Sequence, residues 1–429
     1  MKNSLVLLFT LIILVISAIS CSNRQKVSES NVARIIKTLS ADDMKGRKSL
    51  RPEIEKAADF IANEFRQIGL TPVYDDYRQD FTLYSIQPSY SSVSINGNNI
   101  EDHLYFSVTH TDSLTLTLQD LSLKRIDNSD DFRDAFIEFR NDNESSIIVI
   151  GEEHKDWFNR YRSYFNRANR TLDFDQRPND LFIISDEPVN SANIKIVNDV
   201  KSFELENIVG MIPGKIEDEI VLFSAHYDHI GIVKPVEEDS VVNGANDNAS
   251  GVAGVIELAR YFSSGQKPER TLYFVGFTAE EVGGYGSSYF SEQINPQRIT
   301  AMINIEMIGK PAVEDENTAW ITGFDKSSFG EIFEENSPDG FKFYPDPYPN
   351  QNLFYRSDNA TLARKGVPAH TISTTPIDVD QDYHQVTDEF STINISHATN
   401  TIRAIATVSE LIASGDATPT RIPIESDNQ

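Results

Sequence analysis

Acid and histidine side chains in this chain collect where apolar, strand-like runs give out into loops. They are His226 and Asp228 in AHYDHIG, Asp247 in GANDNASG, Glu280 and Glu281 in TAEEVGGYGS, Glu306 in NIEMIG and His384 in DYHQVTD. Carboxylates and imidazoles in such places are costly unless something binds them. A pair of divalent cations would do so, and the order of the residues is the one a two-metal hydrolase needs.

Each piece carries its own chemistry. His226 ends the run IVLFSA; Tyr227 then points the other way and Asp228 returns to the same side. The spacing lets the Asp228 carboxylate reach the ring and leave one nitrogen free for metal. Asp247 opens a helix, where it reads either as a cap or as a carboxylate whose two oxygens bridge two cations. Glu280 and Glu281 end TLYFVGFTA. Adjacent acids there repel unless one binds metal and the other handles protons. Gly283, Gly284 and Gly286 then permit a tight turn close to a ligand. Glu306 is the one charge in AMINIEMIG, where a buried acid needs a partner. His384 lies in a polar loop, with Asp388 as a candidate supporting partner. His103, His110, His154, His229, His370 and His397 lack such company and read as structural or surface groups.

The elements that must position these groups are legible from Asn207 onward. Ile208–Ile212, Ile220–Ala225, Thr271–Thr278, Ala301–Met307 and Ala319–Thr322 are apolar, β-branched runs suited to buried strands. Helical stretches lie between and after them, at 250–262, 287–293 and about 394–414. This alternation predicts an α/β fold, a three-layer α/β/α sandwich around a mostly parallel mixed sheet. Ligands in such sheets gather beyond the carboxyl ends of the strands.

The flanks read differently. Residues 32–69 are helical in pattern, with Pro52 suited to a first turn and Gly69 to a stop. Residues 80–96 alternate like strands. The stretch 100–204 is rich in Asp, Asn and Arg, with isolated apolar strands at 146–150 and 181–184. Trp157, Tyr161, Tyr164 and Phe165 cluster between them, as core or as a substrate contact. The expected organisation is therefore a leader at 1–20, a tether at 21–31, the first part of the main domain at 32–99, an inserted subdomain or lid at 100–204, the main domain at 205–415, and a polar, disordered tail at 416–429.

The chain has 429 residues, 39% of them hydrophobic, and a formal net charge of -27. A surface so acidic repels phosphate backbones, which excludes nucleic acid as the main partner. Met1-Lys2, the apolar run Leu5–Ile19 and the small residues Ala18 and Ser20 precede Cys21, the one cysteine. The apolar run is short for a spanning helix and reads as a secretory signal. Cys21 resembles the lipidated cysteine of bacterial lipoproteins, with Ala18 where that pattern usually has Leu. The expectation is an exported, membrane-anchored protein on the periplasmic or outer face.

The motifs AHYDHIG, GANDNASG, FTAEEVGGYGS, NIEMIG, SDNATLARKGVPA and DYHQVTD, in this order, resemble the co-catalytic di-zinc aminopeptidases. That group includes glutamate carboxypeptidase-like exopeptidases and the glutaminyl cyclases. The resemblance covers about residues 205–412, and LSADDMKGR with AADFIANEFRQIGL also looks like the family's opening. It implies two zinc ions per chain, one held by His226 and Glu306, the other by Glu281 and His384, with Asp247 bridging both. Glu280 would be the general base acting on the metal-bridging water, Asp228 would orient His226, and Tyr383 would help stabilise the oxyanion. Glu306 stands where the family usually has Asp, and Asn359 ends an SDN that replaces the more frequent SDH.

A zinc exopeptidase acting on peptides, an aminopeptidase by type, is the leading expectation. A glutaminyl cyclase-like acyltransferase is the alternative; it would carry about one zinc per chain, and GANDNASG favours the peptidase. A non-catalytic surface binding module would predict lost ligands or a lost base. Residue preference at the cleaved end depends on loops near 324–356.

Overall fold

The apolar runs that end in acids form the middle of a sheet. The structure is a computed structural model and describes residues 25–167, 169–312 and 316–424. By contacts the chain divides into two compact units, Phe81–Glu204 and the remainder. The leader and Cys21 lie outside the described residues. Among those described, no helix is long and apolar enough to cross a membrane.

The larger unit begins with helices α1 (Glu29–Leu39) and α2 (Ile54–Ile68). α2 buries Ala57, Ala58, Ile61 and Phe65 at helical spacing, and Gly69 closes it in the left-handed conformation. The stretch 32–69 is thus two helices, separated by a short 3-10 turn at Asp42–Arg47. The strands follow: β1 (Ala192–Ile212, of which 205–212 belong here), β2 (Ile216–His226), β3 (Arg270–Phe277), β4 (Ile299–Ile305), β5 (Thr318–Ile321), β6 (Lys342–Pro345) and β7 (Ala369–Ser373). Their order is β6-β5-β7-β4-β2-β3-β1. β2 pairs in parallel with β3 and β4, and β4 with β7. β1 and β5 supply the antiparallel pairings. β7, formed from AHTIS, is a strand that sequence patterning did not mark.

β2 shows why this sheet is central. Its residues from Ile220 to His226 are all buried. Val221, Phe223 and Ala225 enter one apolar cluster with helices α1, α2, α3 (Gly251–Ser263) and α5 (Ile395–Ser414). Leu222 enters another, with Val275 and Phe277 of β3 and Phe290 of α4 (Tyr285–Gln293). Alternate residues therefore face opposite helical layers, the three-layer α/β/α arrangement with a mixed sheet.

The first and last described stretches of the larger unit are both held. Val27 is buried, its carbonyl accepts from Arg403, and the Ser28 N–H donates to Glu257. The flexible tether expected at 21–31 therefore does not extend over these residues, because Val27 has an apolar seat and a helix begins at Glu29. The disorder expected from 416 does not hold as far as 424 either. Arg270 donates to the Ala417 carbonyl and the Thr418 hydroxyl, and Ile422 is buried.

The smaller unit, Phe81–Glu204, has its own sheet, in the order Tyr105–Val108, Asp180–Ile184, Ser146–Ile150, Ser122–Ile126. Helices Phe132–Asn141 and Lys155–Phe165 accompany it. Trp157 stacks on Phe132, and Tyr161 and Phe165 pack against Phe136.

Phe223 is fully buried between Phe262 and Phe274, with ring centroids at 5.5 and 5.3 Å. Phe223→Ala is expected to lower the unfolding free energy by about 3–5 kcal/mol, read from denaturant titration.

Candidate metal centre

Five chain segments deliver the acids and imidazoles to one edge of the sheet. His226 is the last residue of β2, Glu280 and Glu281 follow β3, Glu306 follows β4, and Asp247 precedes α3. Parallel β2, β3 and β4 place their carboxyl ends on the same side, where loops can converge. His384 comes from the loop between β7 and α5, with φ 60.

The distances divide the groups around one residue. His226 Nε2 lies 3.1 Å from Glu306 Oε1 and 3.4 Å from Asp247 Oδ1. His384 Nε2 lies 3.2 Å from Asp247 Oδ2 and 3.3 Å from Glu281 Oε2. Asp247 thus turns one oxygen to each histidine. Among the described residues, no lysine or arginine pairs with Asp247, Glu280, Glu281 or Glu306. Imidazole nitrogens and carboxylate oxygens crowded in this way, without a basic partner, are a donor set that fits two divalent cations sharing one carboxylate.

The electrostatics agree with that fit. Burial pulls the His226 imidazolium down, but Glu306 and Asp247 more than reverse this and hold it well above the usual range. His384 is likewise raised to about 10, against burial, by Asp247 and Glu281. Burial works against the Asp247 carboxylate, yet His229, His226 and His384 hold its pKa well below the usual value. The negative charge that favours the protonated rings is the same charge that would favour bound cations. Glu280 behaves in the opposite way: desolvation pushes its carboxyl well above the usual range, with Asp358, Glu306 and Glu281 adding to the push against His226.

The supporting contacts differ in part from the sequence expectations. Asp228 steadies the His226 ring through its backbone carbonyl, 3.1 Å from Nδ1, while its carboxylate stands 3.7 Å away. That carboxylate instead accepts the Glu280 N–H at 3.1 Å. Asp388 does not support His384. Its carboxylate accepts the N–H groups of Asn246 and Asp247 at 2.9 and 3.0 Å, fixing the bridging loop. His229, expected to be structural or surface, is fully buried in the site, with Nδ1 2.7 Å from Glu281 Oε1. It forms a second possible ligand group with Asp247 and Glu281. Its neighbour in sequence, Asp228, was the only hint.

Three more residues emerge only in the fold. Arg47 is fully buried and donates to the carbonyls of Leu39, Tyr227, Asn243 and Gly244. Asn248 donates to the Ile305 carbonyl and accepts from Met307, binding the Asp247 loop to the end of β4. Ser357 donates to Glu306 Oε2 at 3.0 Å and accepts from Asn304. Asn304 in turn reaches Thr371, which donates to Asn359. Asn359 is buried, its amide spent on the carbonyls of Phe354 and Ala369, so it serves the scaffold behind Glu306.

Next to the centre lies a cleft of about 150 Å³. It is lined by His226, Asp247, Glu280, Glu281, Glu306 and His384, with Tyr383 among them. The Tyr383 ring stacks on His384 at 3.9 Å.

The mixed sheet thus carries at its carboxyl edge two groups of side chains that could each hold a cation and that share one carboxylate, with the Glu280 acid beside them. Residues 207–409 match the model of peptidase family M28. The chain is 35% identical over 120 residues to a "Probable zinc metalloprotease" of Pyrenophora tritici-repentis, covering 27% of this chain and 26% of that protein. It is 32% identical over 109 residues to "Aminopeptidase YwaD" of Bacillus subtilis, covering 24% and 22%. The matched part spans about a quarter of the length of these curated relatives. In fold it is similar to an aminopeptidase from Aneurinibacillus sp. strain AM-1, with a TM-score of 0.54 and 20% identity over 94% of this chain and 97% of that one. The zinc aminopeptidase BSAP of Bacillus subtilis superposes with a TM-score of 0.52 and 18% identity over 91% and 97%.

Asp388→Ala removes the acceptor that fixes the backbone of Asp247. It is expected to weaken divalent-cation affinity by about 10–100-fold, measured by competition with a chromophoric chelator.

Proposed function

We propose that this chain is a zinc-dependent exopeptidase, an aminopeptidase by type. The observation that carries the reading is the two-sided Asp247 carboxylate with Glu280 beside it. The Glu280 carboxylate makes no hydrogen bond or ion pair among the described residues. His226, Asp247 and Glu306 would hold one zinc ion, and Asp247, Glu281 and His384 the other. Bound zinc would supply Lewis acidity toward the scissile carbonyl and a lowered water pKa.

The chain's own residues do the rest. Glu280 takes a proton from the attacking water and passes it to the nitrogen of the leaving amine. Its upward-shifted carboxyl suits it to hold that proton between the two steps. Tyr383 lines the cleft beside His384, where its hydroxyl can donate to the developing oxyanion. Glu306, partly open to the cleft, offers a negative charge to a free α-amino group.

Glu280→Gln keeps the shape and removes the proton carrier. Zinc content is expected to stay at the wild-type level while kcat for an aminoacyl p-nitroanilide falls by about 10²–10⁴. Turnover retained by the zinc-loaded variant would sink the mechanism.

We further propose that the mature chain begins at a lipidated Cys21. The support is the sequence: a short positive start, an apolar run and small residues before a lone cysteine. Cys21→Ser should move the protein from the membrane pellet to the soluble fraction. An unchanged partition would refute the anchor.

A further inference from the structure

The cleft that holds the six acid and histidine residues of the centre also contains a cation they do not use. Arg356 is the one lysine or arginine among its lining residues. The side chain is exposed, and its guanidinium has no hydrogen bond, ion pair or ring contact among the described residues. Its neighbours are spent otherwise: Arg364 and Lys326 both lie over the Tyr355 ring. In a chain with 65 acids against 38 bases, an arginine left without a carboxylate beside an acidic centre stands out.

Its surroundings suit a ligand. Trp320, buried at 5% exposure, lines the same cleft with an indole N–H that has no hydrogen-bond partner among the described residues. Leu353 and Ile377 add apolar wall, and Gln351 a neutral amide. A short apolar wall ending in a forked cation is complementary to a methylene stem ending in a carboxylate. It is repulsive to lysine and arginine side chains.

We propose that Arg356 receives a carboxylate of the substrate, so that the enzyme selects acidic substrates. This rests on the exopeptidase reading of the centre. The carboxylate could be the side chain of an N-terminal glutamyl or aspartyl residue, or the free terminus of a dipeptide.

The test uses the zinc-loaded full chain with Arg356→Gln and Arg356→Glu. kcat/KM is compared for glutamyl, glutaminyl and lysyl p-nitroanilides, and for Leu-Gly against Leu-Gly-amide. Wild type is expected to favour the carboxylate-bearing member of one of these contrasts by about tenfold or more. The contrast that responds identifies the source of the carboxylate. The ratio should collapse toward one in Arg356→Gln and invert toward lysyl substrate in Arg356→Glu if the side chain is the source. Equal ratios in wild type and Arg356→Gln overturn the proposal.

A second readout does not depend on turnover. Tryptophan fluorescence is followed during titration with L-isoglutamine, L-glutamine, glycylglycine and glycylglycinamide. Arg356→Gln should lose the preference for whichever carboxylate wild type selects. Preserved discrimination in Arg356→Gln, or none in wild type, overturns the assignment. Discrimination in wild type without hydrolysis of any peptide would keep Arg356 as the receptor and remove the peptidase reading instead.

Discussion

The structure depends on keeping several carboxylates within reach of one another on behalf of a single one, Asp247. At an effective dielectric of about 20, two like charges 4 Å apart repel by about 4 kcal/mol. Asp247, Glu281 and Glu306 crowd around two imidazoles at 3.1–3.4 Å, and Glu280 stands beside them. Bound cations relieve that repulsion, but the protein must still hold the groups in place. Their positions therefore come from contacts to the backbone. Asp388 takes the N–H groups of Asn246 and Asp247, Asp228 takes that of Glu280, and Asn248 ties the Asp247 loop to β4.

The glycines after the Glu280–Glu281 pair belong to the same scheme. A Cβ on Gly286 would lie 2.2 Å from the Thr278 carbonyl and 2.5 Å from the Asn207 side chain. Asn207 bonds both of these segments, donating to the Gly286 carbonyl and accepting from the Thr278 N–H. The turn after β3 can close this tightly only without a side chain, and that closure points the two acids off the strand end.

What could be read from the sequence follows from how local each signal is. The strand ends that carry His226, Glu280, Glu281 and Glu306 are short apolar runs broken by one kind of residue, and the burial of β2 and β3 follows that pattern. The halves of the helical stretch 32–69 are visible in their periodicity; the break between them is a turn in which Lys45 and Gly46 both take positive φ. β7 escaped because AHTIS mixes polar and apolar residues, although every one of them is buried. His229 escaped because its partner Glu281 is 52 residues away. Asp388 was paired with the wrong neighbour for the same reason: its real contacts are 141 and 142 residues upstream.

Arg47 shows what such distance means for where this molecule begins. In sequence it is one basic residue among several in a polar turn. In space it is the common donor for carbonyls at Leu39, Tyr227, Asn243 and Gly244, three of which flank the loops that carry His226, His229 and Asp247. The segment recognisable by family, 207–409, omits it. A protein trimmed to that recognisable segment would keep every metal-binding side chain and lose the clasp that sets their loops, leaving buried oxygens without a donor. Kinship and cooperativity draw their borders in different places here, and the N-terminal helices belong inside the second.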